Sequence, residues 1–354
     1  KKLKFAVLKN ETRSSKTIIL FFTTNIKNGG SERYLSALDK FLSATNETKI
    51  FYFGENSELF SFKSPVEKLD VKTGDAFLAE TNRRLKIRNC IKSENPDLVI
   101  SLGESANVDL AFSMVSLNKK LIITEHSKRD DEKSGSFKTM AYKKADFLAV
   151  LNKTEFDKFD FMKENRKIIY SPFNLPSADF SKKEKIILSV GRLEKVKGYE
   201  NYFKALSMIS NSIKDGWEIV LCGNGTLEPR LRDLALSLGV SVSFLGFRND
   251  ISHYYSKASI VALPSLKETL PNSLIESIYF DCARFATPTD GAKELISDGK
   301  DGVLSTDFTP QAMKDALEAL MINEATRLKY AYEGRKLKDK FSIEMFNKSW
   351  LEII

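Results

Sequence analysis

The chain has 354 residues, 42% hydrophobic and 29% charged, a balance that excludes wholesale disorder and leaves room for two domains. Its net charge of +8 sits in one half: residues 1–175 hold 31 Lys and Arg against 23 Asp and Glu, whereas residues 176–354 hold 24 of each. No apolar run approaches the ~18–20 residues of a spanning helix, and the three scattered cysteines with His126 and His253 make no recognisable zinc site, so no secretory leader and a reducing, cytoplasmic setting are expected.

Along the chain, short β-branched or apolar runs alternate with longer helical patterns. Residues 17–23 read as a strand, 25–30 as a glycine-ended loop, and 31–42 as a helix with Ser31 as N-cap. Further strands are expected at 49–53, 98–102, 121–124, 147–151 and 167–170, with helices between them, including one at 76–93. Residues 171–180 carry Pro172 and Pro176 among Ser and Asn and suit a linker. The alternation then restarts, with strands expected at 185–190, 218–222, 241–245, 260–264 and 284–286. Helices are expected at 199–210, 227–238, 251–256, 272–280 and 310–321. Such alternation predicts parallel sheets with crossover helices: two α/β, Rossmann-like domains, 1–175 and 176–340, facing a cleft, with ligands outside the carboxyl ends of the strands. In 341–354, Phe346, Trp350 and Leu351 are spaced as one helical face.

Three segments have the composition of an anion site. Glu268 and Glu276 flank Pro271 and Asn272, which mark a loop becoming a helix. Glu268 then falls in the loop and Glu276 one turn inside the helix, where a carboxylate can accept both hydroxyls of a ribose while the helix-start amides suit a phosphate. Taken alone, an acid-decorated helix start is an equally ordinary reading. Arg192 and Lys197 follow a strand and Gly191, and two cations beside a tight turn suit a diphosphate, although a basic loop by itself is more often only solvated. Asn28, Gly29 and Gly30 form a glycine turn opening a helix, a weak anion signal on its own.

Together these motifs resemble the nucleotide-sugar-dependent glycosyltransferases of GT-B fold, specifically the large retaining family 4, over most of the chain. The resemblance also rests on Thr124-Glu125-His126-Ser127, Val150-Leu151-Asn152, Tyr170-Ser171-Pro172-Phe173-Asn174, Leu221-Cys222-Gly223-Asn224-Gly225, Phe244-Leu245-Gly246-Phe247 and Asp290-Gly291-Ala292-Lys293-Glu294-Leu295. Residues 275–280 and 291–304 are similar to bacterial enzymes that extend polyprenyl-diphosphate-linked oligosaccharides. The resemblance implies a UDP-sugar donor. Arg192 and Lys197 would hold its diphosphate with the amides around Gly29, Gly30, Ser273 and Leu274, and Glu276 its ribose. Glu268 and the backbone of Thr269 and Leu270 would hold the transferred sugar, His126 would approach it from the first domain, and Phe247 and Arg248 would read the base. The family commonly has glycine where this chain has Thr269, whose Cβ restricts φ. The tail 341–354 would pack back on the first domain. No Asp-x-Asp occurs, and with two side-chain cations in the place of an ion no metal or other cofactor is expected.

Rivals are fewer. A dinucleotide-dependent dehydrogenase lacks its third glycine after Gly223 and Gly225. A nucleotide-sugar epimerase of the same fold and, more remotely, a basic nucleic-acid-binding protein stand as alternatives; no nucleic-acid partner is expected. The expected helix at 76–93 carries Arg83, Arg84, Lys86, Arg88 and Lys92, with Arg84, Arg88 and Lys92 in one line, and residues 1–16 add six cations. These are expected to seat the enzyme on an anionic membrane at its cytoplasmic side, or to grip a lipid carrier's diphosphate. A solvated helix face is the plain alternative, and Ile87 and Ile91 interrupt the stripe.

Overall fold

The structure, a computed structural model, describes residues 16–26, 29–56, 61–70, 76–126, 135–175 and 183–354. Asn28, Ser127, Pro176 and the leading basic segment up to residue 15 lie outside the described residues. The chain divides into two compact units, one of Lys1–Val150 and Phe159–Lys167, the other of Leu151–Lys158 and Ile168–Ile354.

The first unit is built on seven strands: β1 (Ile18–Thr23), β2 (Glu47–Tyr52), β3 (Val66–Lys68), β4 (Leu98–Leu102), β5 (Lys120–Glu125), β6 (Phe147–Val150) and β7 (Arg166–Ile168). They stand in the order β3-β2-β1-β4-β5-β6-β7, with β1 parallel to both β2 and β4. Between them run α1 (Gly30–Leu42), α2 (Ala76–Glu94), α3 (Glu104–Ser113) and α4 (Gly135–Tyr142), whereas α5 (Lys153–Lys158), which follows β6 in the chain, belongs to the second unit. The continuous apolar runs of β1 and β4 are buried along both faces, as central parallel strands require. Helix α1 buries Tyr34, Leu35, Leu38 and Leu42, one stripe of a 3.6-residue period. Its N-cap is Gly29 in extended backbone, so Ser31 lies inside the first turn and its hydroxyl donates to Glu32 rather than capping.

The second unit repeats the plan with β8 (Glu184–Val190), β9 (Glu218–Cys222), β10 (Ser243–Gly246), β11 (Ala258–Leu263), β12 (Ala283–Ala286) and β13 (Val303–Leu304). Their order is β10-β9-β8-β11-β12-β13. Its helices are α6 (Tyr199–Met208), α7 (Asn211–Lys214), α8 (Glu228–Ser237), α9 (Ile251–Lys257) and α10 (Asn272–Tyr279), followed by α11 (Asp290–Leu295), α12 (Pro310–Ile322), α13 (Glu324–Arg335) and α14 (Ile343–Leu351). Strand residues alternate between two cores: Ile187, Ile219 and Ile260 enter one, Leu188, Val220 and Val261 the other. The sheet is therefore covered on both faces, and only its strand ends remain for ligands.

Three expectations change. The described part of the expected linker is packed: Phe173 is buried in the second core and its amide bonds to the Phe341 carbonyl at 2.8 Å, so residues 168–175 belong to the second unit, as do 151–158. In α14, Phe346 and Trp350 are buried but Leu351 is exposed, because one further residue turns the side chain by about 100°. The edge strands β3 and β13 have no counterpart in the sequence reading, being too short to carry an apolar run.

Candidate active site

Strand order reverses between β8 and β11, whose outgoing loops lead to opposite sides of the sheet and leave a crevice at their carboxyl ends. The two loops are bonded to each other: the Leu266 amide donates to the Val196 carbonyl at 2.8 Å. Gly198, at φ +68°, lies so close to Pro264 that a Cβ would overlap its carbonyl oxygen. The β9 loop joins them in the same way, since a Cβ on Gly223 would overlap the Gly191 carbonyl. Glycine is what lets these three loops approach as bare backbone.

The expected residues of the second half follow the carboxyl ends of β8, β10 and β11 in the chain. Lys197 Nζ lies 2.6 Å from Glu268 Oε1, with both side chains mostly enclosed. Arg192, on the same loop as Lys197, is exposed. Pro271 caps α10, whose apolar face of Leu274, Ile275 and Ile278 is buried, and this seats Glu276 on the first turn and a half of the helix. Glu276 is 8% exposed, and its Oε2 accepts from the hydroxyl of Tyr255 at 2.8 Å. Thr269 has no positive φ, so the backbone there is one that a β-branched residue adopts freely. Phe247 and Arg248 follow β10; Phe247 is exposed and Arg248 forms a 2.9 Å pair with Asp250 while lying over the Tyr254 ring. That loop is tied to the β9 loop by the Gly223 amide, which donates to the Gly246 carbonyl at 2.7 Å.

Two partners escaped the sequence reading. Tyr255, fully buried on α9, orients Glu276, and nothing local marks it. Tyr199 is enclosed beside Gly191, and burial, with the nearby Glu268 carboxylate, pushes its phenol well above the ordinary value.

In the first unit, Gly29 and Gly30 open α1, and Tyr34 one turn later meets His126 edge-on, ring centres 4.7 Å apart. The fold thus brings the glycine turn and the end of β5 together. His126 Nε2 sits 3.1 Å from Thr124 Oγ1, while Nδ1 is enclosed with no hydrogen-bond partner among the described residues. Burial holds its pKa down to about 4 against a smaller opposing pull from Glu125, so the ring is neutral at physiological pH. The Glu32 carboxylate folds back against Gly29, a negative charge at the positive end of α1.

The cations of α2 are less available than their spacing suggests. Arg83 and Arg84 both pair with Asp109 on α3, Arg84 at 3.0 Å, and Arg88 donates to the carbonyls of Ser113 and Val115 at 2.8 and 2.7 Å. Ile87 and Ile91 are buried, so the arginines flank the inward face; Lys92 is exposed. Among the described residues no helix is long and apolar enough to cross a membrane.

Residues 172–337 match the family described as Glycosyl transferases group 1. Over 350 residues the chain is 27% identical to the Campylobacter jejuni GalNAc-alpha-(1->4)-GalNAc-alpha-(1->3)-diNAcBac-PP-undecaprenol alpha-1,4-N-acetyl-D-galactosaminyltransferase, covering 95% of this chain and 98% of that one. It is 30% identical over 210 residues to a second enzyme of that organism, N-acetylgalactosamine-N,N'-diacetylbacillosaminyl-diphospho-undecaprenol 4-alpha-N-acetylgalactosaminyltransferase, covering 56% of each. The solved structure of Anabaena HepE in complex with UDP matches with a TM-score of 0.80 at 20% identity, covering 95% of this chain and 99% of that one. Two Rossmann-like units of this kind define the GT-B fold. Residues 172–337 form a glycosyl transferases group 1 domain, and the enzyme class this supports is a glycosyltransferase.

Proposed function

We propose that the chain is a retaining glycosyltransferase that moves a sugar from a UDP-sugar to a lipid-linked glycan at the inner face of the cell membrane, with no metal ion. The observation that carries this reading is the 2.6 Å pair of Lys197 and Glu268, with exposed Arg192 on the same loop as Lys197, at the carboxyl ends of β8 and β11 where the strand order reverses. Arg192 and Lys197 take the donor diphosphate with the amides around Gly29, Gly30, Ser273 and Leu274. Their charge opposes the charge growing on the leaving group, fixed electrostatics worth about 3 kcal/mol or more per lost donor. Two side-chain cations thereby do what a divalent ion would otherwise do.

Glu276, oriented by Tyr255, accepts the ribose hydroxyls, and Phe247 and Arg248 face the base. Glu268 and the backbone of Thr269 and Leu270 hold the transferred sugar, and neutral His126 hydrogen-bonds to it. The sugar's bond to the diphosphate breaks as its bond to the acceptor oxygen forms on the same face. The departing phosphate oxygen receives the acceptor's proton, so the transfer balances without a protein base. The undecaprenol-linked acceptors in the names of the Campylobacter relatives support a lipid-linked acceptor here, and the UDP bound to HepE supports the nucleotide. Exposed Lys92, with Leu78 and Leu85 outward on α2, supports a membrane-facing first half.

A thermal-shift panel of UDP-sugars on the intact protein tests the donor, because a ligand bound only by the native state raises the melting temperature. One member is expected to stabilise, and transfer to a polyprenyl-diphosphate glycan to persist in EDTA. Sugar isomerisation without acceptor would instead favour the epimerase. Flotation with anionic liposomes at low salt tests the membrane: a protein that stays in solution and uses a lipid-free acceptor equally well rejects that part.

A further inference from the structure

Asn152 opens α5, in the segment Leu151–Lys158 that packs with the second unit, and is 1% exposed. Its Oδ1 accepts from the Glu155 amide at 2.7 Å, an N-cap bond that Ser, Thr or Asp would supply as well. Its Nδ2 adds a second bond, to the Thr269 carbonyl at 2.6 Å, across 117 residues of sequence: a capping Asp has no donor for it, and the hydroxyl of a capping Ser or Thr is one bond shorter and is held at the Glu155 amide. A cap alone does not call for asparagine; a cap that also grips a carbonyl does.

The gripped atom matters because a peptide unit is planar and trans. Fixing the Thr269 C=O direction fixes the Leu270 N–H in the opposite direction. The rest of the loop is braced around that peptide. The Gly291 amide donates to the Glu268 carbonyl at 3.1 Å, and Gly291 packs so tightly that a Cβ there would come within 2.6 Å of the Thr269 oxygen. The next residue of α5 is anchored to the same helix: the Lys153 amide donates to Glu294 Oε2 on α11 at 3.1 Å. Glu294 is itself held by the hydroxyl of Tyr170, with Lys340 Nζ at 3.4 Å.

We infer that Asn152 is a positioning residue for donor recognition: through the Thr269 carbonyl it orients the Leu270 N–H that receives the transferred sugar. The inference rests on the reading of residues 268–270 as the sugar loop. It separates the two halves of donor binding, because Asn152 touches none of the groups assigned to the diphosphate, ribose or base.

Asn152→Ser and Asn152→Asp both keep a cap on α5 and lose the bond to Thr269, Asp because it has no donor and Ser because its hydroxyl is one bond shorter and is held at the Glu155 amide. Two measurements on the whole protein test the role: hydrogen exchange of the Leu270 amide without ligand, and affinity for UDP against the UDP-sugar that stabilises the wild type. Both variants are expected to speed exchange at Leu270, to bind UDP within about twofold of wild type, and to bind the UDP-sugar about tenfold more weakly. Unchanged exchange overturns the inference whatever the ligands do. Faster exchange with full UDP-sugar affinity overturns it too, and an equal loss for UDP and UDP-sugar reduces Asn152 to a structural cap. If wild type itself prefers no UDP-sugar over UDP, the donor reading fails, while faster exchange in the variants still establishes the hold of Asn152 on the peptide.

Discussion

Helix α2 and the loop after β8 each present clustered cations, and they use them in opposite ways. On α2, Arg83 and Arg84 converge on Asp109, whose side chain is 3% exposed, and Arg88 saturates two carbonyls at the end of α3. These charges close a helix–helix contact. After β8, Lys197 shares a carboxylate while Arg192 stands exposed, at the carboxyl ends of the strands where their order reverses. Net charge is therefore a poor measure of available charge: much of the α2 charge is already paired, whereas the neutral second half presents an exposed arginine.

The comparison breaks most visibly by removing the cations. Arg192→Ala or Lys197→Ala is expected to lower turnover about 10²-fold or more, read as product formed from the UDP-sugar, with little change in melting temperature. Near-normal turnover in both single variants would falsify their assignment. Asp109→Ala should do the reverse, costing about 2 kcal/mol in chemical denaturation by leaving two arginines short of a partner, with UDP affinity unchanged.

His126 sharpens the comparison by pH. Its pKa is about 4 in the folded protein, below the ordinary 6.5, so the unfolded chain binds more protons between these values. The His126 contribution therefore leaves stability intact above pH 6.5 and lowers it progressively as pH falls towards 4. NMR titration of the ring should find that low midpoint, and His126→Phe should flatten this part of the pH–stability curve; a midpoint of 6.5 or above refutes the enclosed neutral ring. The smallest effect is expected from Tyr255→Phe, which leaves Glu276 one donor short. UDP affinity should fall about threefold with the added preference for the UDP-sugar retained, the mirror image of the Asn152 variants.

How legible the molecule is from its sequence varies with the range of the cause. Strands β4 and β9 are read at their observed bounds because a buried parallel strand needs an unbroken apolar run. Strand β3 is lost because its side chains are exposed, Val66 at 37%, so burial imposes no pattern on them. Helix α1 begins earlier than Ser31 suggests, since an N-cap is set by backbone conformation, here that of Gly29, and not by residue type alone. Glu268 and Glu276 are legible as a pair because Pro271 fixes where the helix starts.

The sequence by itself determined the alternating strands and helices, the glycine-bearing loops between them, and the side chains those loops carry, because propensity, periodicity and turn chemistry act over a few residues. Only the tertiary structure decided which of those side chains already have partners. Arg83 meets Asp109 across 26 residues, Tyr255 meets Glu276 across 21, and Asn152 meets Thr269 across 117. Contacts at such separations follow from how helices seat on a sheet and where its strand order reverses, and no local pattern encodes them.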